Sequence, residues 1–251
     1  MAKSVEHYIH ESIEKRGAIQ MTLIDPQKTD PSVCVEIAVQ AEKGGTSAMM
    51  VGGSTLASNS ILDDVVRDIK SRVKVPVILF PNNISGVSPY ADAIWFMSLL
   101  NSSSTYYIID VQALTAHLIR SYDLETLSMG YIIVGEGGAA GFVGQARGIP
   151  HSHPELALGY SLAAETLGMR FVYLEAGSGA KAPVPAEMIK LVKSNIRVPL
   201  IVGGGINDGP SARAAVEAGA DIIVTGTLVE ETDRVRERIY EIVSSIESMG
   251  R

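Results

Sequence analysis

Residues 198–227 read VPLIVGGGINDGPSARAAVEAGADIIVTGT. A short apolar run ends in three glycines, a segment of helical period follows, and a second apolar run ends in Gly226–Thr227. Such runs, rich in Val and Ile and bounded by glycine, read as strands, and the segment between them as a crossover helix. Neither run alternates apolar with polar residues, as a half-solvated sheet would. Both suit parallel strands covered on two faces.

The same unit recurs along the chain. Strands are predicted at AIQMTLID (18–25), SAMMVGG (47–53), VPVILFP (75–81), AIWFMSLL (93–100), GYIIVG (130–135) and RFVYLEAG (170–177), ahead of the two at 198–205 and 221–227. Helical patterns lie at 30–45, 57–73, 106–120, near 154–168, and at 185–196, 210–219 and 233–248. Eight strands in this alternation close into a (β/α)₈ TIM barrel. One unit is defective, because NNISGVSPYAD (82–92) is too short for a full crossover helix. The expectation is a modified barrel whose third outer helix is missing or degenerate.

Composition agrees with one domain over 1–251, since 251 residues with 46% hydrophobic content supply one large core and no linker interrupts them. A net charge of −7 without a basic run gives nucleic acid no electrostatic footprint. The lone Cys34 suits a reducing cytosol, and MAKSVEHYIHESIEKRG (1–17) lacks the apolar core of a signal peptide. No apolar stretch approaches the ~20 residues of a membrane span. A cytoplasmic protein is expected.

In a parallel barrel the chemistry lies at the carboxyl ends of the strands. Those ends carry Asp25, Gly53–Ser54, Asn82, Asn101, Glu136, Glu175, Gly203–Gly205 and Gly226–Thr227. Glycines after two successive strands leave bare backbone where many barrels bind phosphate. Asp25 and Ser54 end neighbouring strands and form an oxygen foothold for Mg²⁺. Equally, each could cap the helix that follows it. YLEAGSGA (173–180) ends a buried strand in a carboxylate and then sheds its side chains. It is either a plain turn or a base beside exposed backbone N–H groups. His151 and His153 lack the partners of a zinc site and read as exposed loop residues. DDVVRD (63–68), though aspartate-rich, falls on the solvated face of an outer helix. Trp95, Phe96 and Met97 alternate along one strand, so some of them belong to the core.

Taken together, LIDPQKTD, MMVGGST, SGVSPYADAIWFMSLLNS, YLEAGSGA and VGGGI…GAD…VTGT resemble the geranylgeranylglyceryl phosphate synthases and their heptaprenyl relatives, most closely the archaeal larger-chain branch. The resemblance spans about residues 20–230. It implies a modified TIM barrel that joins sn-glycerol 1-phosphate to geranylgeranyl diphosphate, with Mg²⁺ present and diphosphate released. That reaction makes the first ether bond of archaeal membrane lipids. By position, the resemblance gives Asp25 and Ser54 to the metal. It gives Tyr173, Leu174, Glu175, Ala176, Gly177, Ser178, Gly179, Gly204, Gly205, Gly226 and Thr227 to glycerol 1-phosphate. Glu175 is the catalytic candidate, accepting hydrogen bonds from the glycerol hydroxyls and orienting one for attack, as base or by position alone. Expected partners are the two substrates, further copies of the chain, and a membrane surface touched peripherally as product leaves. Relatives usually read D-P-D at Asp25-Pro26-Gln27, and G-G-T-A-G-W-V-G where this chain has GGAAGFVG (137–144).

Two other classes fit the phosphate glycines. A barrel isomerase or aldolase would want a lysine or a second carboxylate at the strand ends, and no strand ends in lysine. A non-catalytic binder of phosphoglycerol or prenyl groups would show no diphosphate release. Fold alone does not separate them.

Overall fold

The computed structural model describes residues 4–53 and 59–247. In chain order the elements are α1 (Val5–Arg16), β1 (Ile19–Ile24), α2 (Pro31–Gly44), β2 (Ala48–Val51), α3 (Asn59–Arg72), β3 (Val77–Leu79), β4 (Ala93–Leu99) and α4 (Val111–Ser121). There follow β5 (Glu125–Ile133), α5 (Gly138–Val143), α6 (Pro154–Thr166), β6 (Phe171–Glu175), α7 (Ala186–Lys193), β7 (Leu200–Gly203), α8 (Gly209–Glu217), β8 (Ile222–Thr225), α9 (Thr227–Glu230) and α10 (Val235–Glu247). The strands pair in parallel in sequence order, and β8 closes on β1 with Ile19 opposite Ile222.

Most strand residues alternate between two apolar environments, though β1 also buries Gln20 and Thr22, which are hydrogen-bonded to each other. Ile19, Met21, Met50, Ile78, Trp95, Met129, Phe171, Tyr173 and Ile201 fill the barrel interior. Their neighbours Val172, Leu174, Leu200, Val202 and Ile223 pack outward against the helices. That double burial is why the runs carry almost no polar residues. Helix ends are set by local chemistry. Asp30 caps α2 by accepting from Ser32 N–H, and Asp208 and Ser211 form a reciprocal box at the start of α8. At the barrel's amino end, α1 lays Val5 and Ile9 into the interior cluster. Glu125 accepts from the N–H groups of Val5 at 2.6 Å and Glu6 at 2.9 Å.

Between β3 and β4 there is one 3₁₀ turn, Ile84–Gly86, where a crossover helix would stand. Two stretches differ from the periodicity. β5 starts five residues before 130, because its first half presents Glu125 and Ser128, whose oxygens accept backbone N–H groups instead of packing. The helix expected from 106 begins as a π-helical turn, Tyr106–Asp110, tied to β4 when Ser98 Oγ donates to Ile108 O at 2.6 Å. The 12-residue α1 and the short α5 and α9 are helices that strand-and-crossover periodicity does not report.

Candidate active site

Glu175 ends β6 pointing into the barrel, since the pleat gives it the same side as Tyr173. It is 7% exposed, and Gly177 N–H donates to its Oε1 at 2.6 Å. Burial pushes its carboxyl pKa up, while Tyr173 and the Gly177 N–H pull the other way. The Tyr173 hydroxyl is near enough to act on that carboxyl electrostatically, yet it falls short of a formed hydrogen bond. Tyr173, Tyr131 and Phe80 make an aromatic floor, with ring centroids 5.1 Å apart for the tyrosine pair and 5.7 Å for Phe80–Tyr131. Gly204 meets this group edge-on. Its φ is +81°, and a β-carbon there would lie 2.6 Å from Glu175 Oε1 and 2.5 Å from Gly177 N.

Next to Glu175 the loops after β6, β7 and β8 converge. Ser178 Oγ and Thr227 Oγ1 lie 3.0 Å apart, and Gly179, Gly204, Gly205 and Gly226 line the same wall. No side chain stands between those glycine backbones and the cavity, and two hydroxyls face it. Bare backbone beside two hydroxyls is the chemistry that suits an anion, and this wall is the candidate cradle for one.

Asp25 extends from the end of β1 and is 4% exposed. Its Oδ1 accepts from Gln27 N–H at 3.0 Å, so the cap of α2 is Asp30 and the capping reading of Asp25 falls away. Lys28 Nζ stands 3.8 Å from Asp25 Oδ2 and 3.7 Å from Glu230 Oε2. Burial and the nearby Asp25 raise the Glu230 carboxyl, while Lys28 lowers it. Gly53 leaves the space over Asp25 open, because a β-carbon there would lie 2.2 Å from Oδ2. Ser54 lies outside the described residues. Among the described residues no group of three His, Cys, Asp or Glu side chains could enclose a metal. The donors that are present, Asp25 and Glu230, suit a hard cation bound by one or two carboxylates and completed by water and substrate oxygens.

One cavity of about 160 Å³ joins these parts. From Phe80 it continues as an apolar arm over β4, lined by Val87, Ile94, Phe96, Val111 and Ile119. That arm occupies the space left by the missing third helix.

The structure therefore gathers Asp25, Tyr173, Glu175, Ser178, Gly179, Gly204, Gly205, Gly226 and Thr227 around one space, with Asn82 on its wall. Leu174 and Ala176 turn outward into the core, and the Gly177 N–H is spent on Glu175. Asn101 and Glu136 stand off the cavity. Asn101 is instead a buried staple, its amide joining Ile133 O and Arg147 O, each at 2.9 Å. His151 and His153 are exposed, as are Asp64 and Asp68 on α3. Sequence reasoning missed Lys28, Phe80, Tyr131 and Glu230. Of these, Lys28 alone had a signal, three residues beyond a strand-end aspartate.

The profile of the PcrB family matches residues 10–246. The chain belongs to the PcrB family. PcrB-family relatives include the geranylgeranylglyceryl phosphate synthase of Thermofilum pendens, 51% identical over 97% of this chain and 95% of its own. That of Pyrococcus horikoshii is 52% identical over 93% and 91%. The (S)-3-O-geranylgeranylglyceryl phosphate synthase of Thermoplasma acidophilum, solved in complex with substrate sn-glycerol-1-phosphate, superposes with a TM-score of 0.95 at 40% identity, over 99% of this chain and all of that one. Within this PcrB-family chain, Ala139 and Phe142 lie exposed on α5, while their neighbours Ala140, Val143 and Gly144 face the cavity. The Gln27 side chain is likewise exposed, and only its N–H reaches Asp25.

Proposed function

We propose that the chain transfers a prenyl group from a prenyl diphosphate, geranylgeranyl diphosphate in the first instance, to sn-glycerol 1-phosphate. The products are a prenylglyceryl phosphate and diphosphate, a step in ether-lipid synthesis of the archaeal type. The observation that carries this reading is the continuity of one cavity from an anion cradle, past a buried carboxylate, into an apolar arm. A phosphorylated polyol and a long hydrocarbon chain are thus brought together at Glu175. The relatives' activity and the glycerol phosphate bound in the Thermoplasma enzyme support the same reading.

Glycerol 1-phosphate places its phosphate against Ser178, Thr227 and the glycine backbones, which leaves its hydroxyls beside Glu175. The carboxylate accepts a hydrogen bond from the attacking hydroxyl and takes its proton as the new C–O bond forms. Phe80, Tyr131 and Tyr173 flank the reacting carbon. Their π faces stabilise positive charge that develops on the allylic carbon, and their bulk excludes water. Asp25, with Glu230 beside it, would hold Mg²⁺, which when bound neutralises charge on the departing diphosphate.

The decisive assay incubates the protein with labelled sn-glycerol 1-phosphate and prenyl diphosphates of several lengths. A lipid-extractable product with equimolar diphosphate is expected, and much less product with sn-glycerol 3-phosphate. Absence of labelled lipid with every donor would overturn the reading.

A further inference from the structure

Deepening the prenyl-transfer reading on which it rests, we infer that Lys28 is a movable cation, held in reserve between Asp25 and Glu230, that binds the donor's diphosphate. Among the described residues lining the cavity, Lys28 is the sole basic side chain. The reaction concentrates negative charge at one place. As the bond between the allylic carbon and the diphosphate oxygen breaks, its electron pair stays on that oxygen and the diphosphate gains a charge. The glycerol oxygen forms the new bond to carbon, and its proton passes to Glu175. Stabilising the leaving group calls for donors at the Asp25 end of the cavity.

Lys28 is built for that task. Its ammonium carries three donors on a flexible four-carbon stem, and its side chain is half exposed. Its contacts are loose. Distances of 3.8 Å to Asp25 and 3.7 Å to Glu230 exceed the roughly 2.7–2.9 Å of a closed charge-assisted hydrogen bond. The lysine therefore balances two carboxylates without being committed to either. A phosphate oxygen entering the cavity offers it a closed contact.

Glu230 opposes that movement. Its side chain is 15% exposed, and departure of Lys28 leaves its charge facing Asp25 with less compensation. The two residues should thus act on diphosphate with opposite signs, which a merely structural ion pair would not do.

The test is calorimetric titration of the full chain with inorganic diphosphate, without added divalent cation. Lys28→Met is expected to weaken binding about 10- to 100-fold, the worth of a hydrogen bond to a charged group. Lys28→Arg should retain most of it. Glu230→Gln should tighten binding a few-fold, the worth of a partly exposed ion pair. The double variant should match Lys28→Met alone. In steady state, Lys28→Met should raise KM for the prenyl donor and leave KM for glycerol 1-phosphate unchanged. Diphosphate binding within twofold of wild type in Lys28→Met, or weaker binding in Glu230→Gln, would overturn the proposal. If Lys28→Met does not fold, the direction of change in Glu230→Gln decides alone. The two readings fail separately. A wild-type protein that makes no lipid product yet shows the opposite-sign pattern sinks prenyl transfer and keeps Lys28 on diphosphate. Product formation with an indifferent Lys28→Met does the reverse.

Discussion

Gly177 N–H donates to Glu175 Oε1 at 2.6 Å, leaving the other carboxylate oxygen for the substrate side. One donor fixes the orientation of a side chain that the barrel otherwise buries among Tyr173, Tyr131 and Gly204. Glu175→Gln should therefore lower turnover about 10²- to 10⁴-fold, the usual contribution of a positioned acid–base group. Glycerol phosphate binding should fall much less. Melting temperature measured beside turnover separates this from a structural role, because a variant that melts early and reacts normally would end the catalytic assignment.

Acid should switch the reaction off at a higher pH than an ordinary glutamate would. Burial raises the Glu175 carboxyl above the unperturbed 4.5, and only the ionised form accepts the hydroxyl proton. A raised native pKa also means that the native state holds this proton to higher pH than the unfolded chain does. Its stabilising contribution is complete below the unfolded value and is lost as pH rises through the native one. At neutral pH Glu175→Gln should then melt no lower than wild type. A kcat/KM profile whose acid limb coincides with a free carboxyl would refute the role of burial.

The cradle is best probed at Gly226. Its φ of −124° suits any residue, and a β-carbon there meets Leu23 at an ordinary 3.6 Å. Gly226→Val should fold, fill the approach to the cradle, and raise KM for glycerol 1-phosphate at least tenfold more than KM for the prenyl donor. Gly204 would be a poor choice, since a side chain there also collides with Glu175. Equal effects on both substrates would remove Gly226 from the phosphate site.

Asp25→Asn should move the magnesium dependence of turnover to higher concentration while leaving the melting curve in place. Asn keeps an acceptor for Gln27 N–H and loses the charge. An unchanged magnesium titration would detach Asp25 from the metal.

Asn101→Ala should cost about 2 kcal/mol of stability, because the buried Ile133 N–H and Arg147 O lose their partner, while Ile133 O keeps the Ile149 N–H. Urea denaturation measures it directly, and a loss below about 1 kcal/mol would show that water replaces the amide.

How far a sequence exposes such a site depends on what fixes each residue's place. Asp25 and Glu175 were legible because each ends an apolar run, and barrel geometry converts that local fact into a common mouth. Leu174 and Ala176 belong to the same motif by position yet point outward, for the pleat sends alternate side chains to opposite faces. Glu230 had no such signal. It rides on a four-residue helix and meets Lys28 only because β8 closes against β1, a pairing between opposite ends of the chain. The early start of β5 was hidden for the opposite reason, as Glu125 and Ser128 are polar residues recruited to satisfy backbone groups of α1 and β6's approach. The barrel, its missing third helix and the position of the glycine turns all follow from short-range pattern. The aromatic floor does not.

The single turn at Ile84–Gly86 leaves the apolar arm over β4 walled by side chains of α4 in place of a crossover helix, with Ile94 and Val87 buried and Phe96 partly open. In the proposed reaction the prenyl chain fills that arm, so the donor is a removable piece of the hydrophobic core as well as a reactant. Catalysis and folding are then linked through one surface. Each isoprene unit that packs into the arm beside Phe96 should add to thermal stability until the arm is full, and longer tails should add nothing more. Release of the lipid product would uncover the same surface, which makes desolvation of the groove, and with it the speed of product exchange, a property of the empty protein as much as of the lipid.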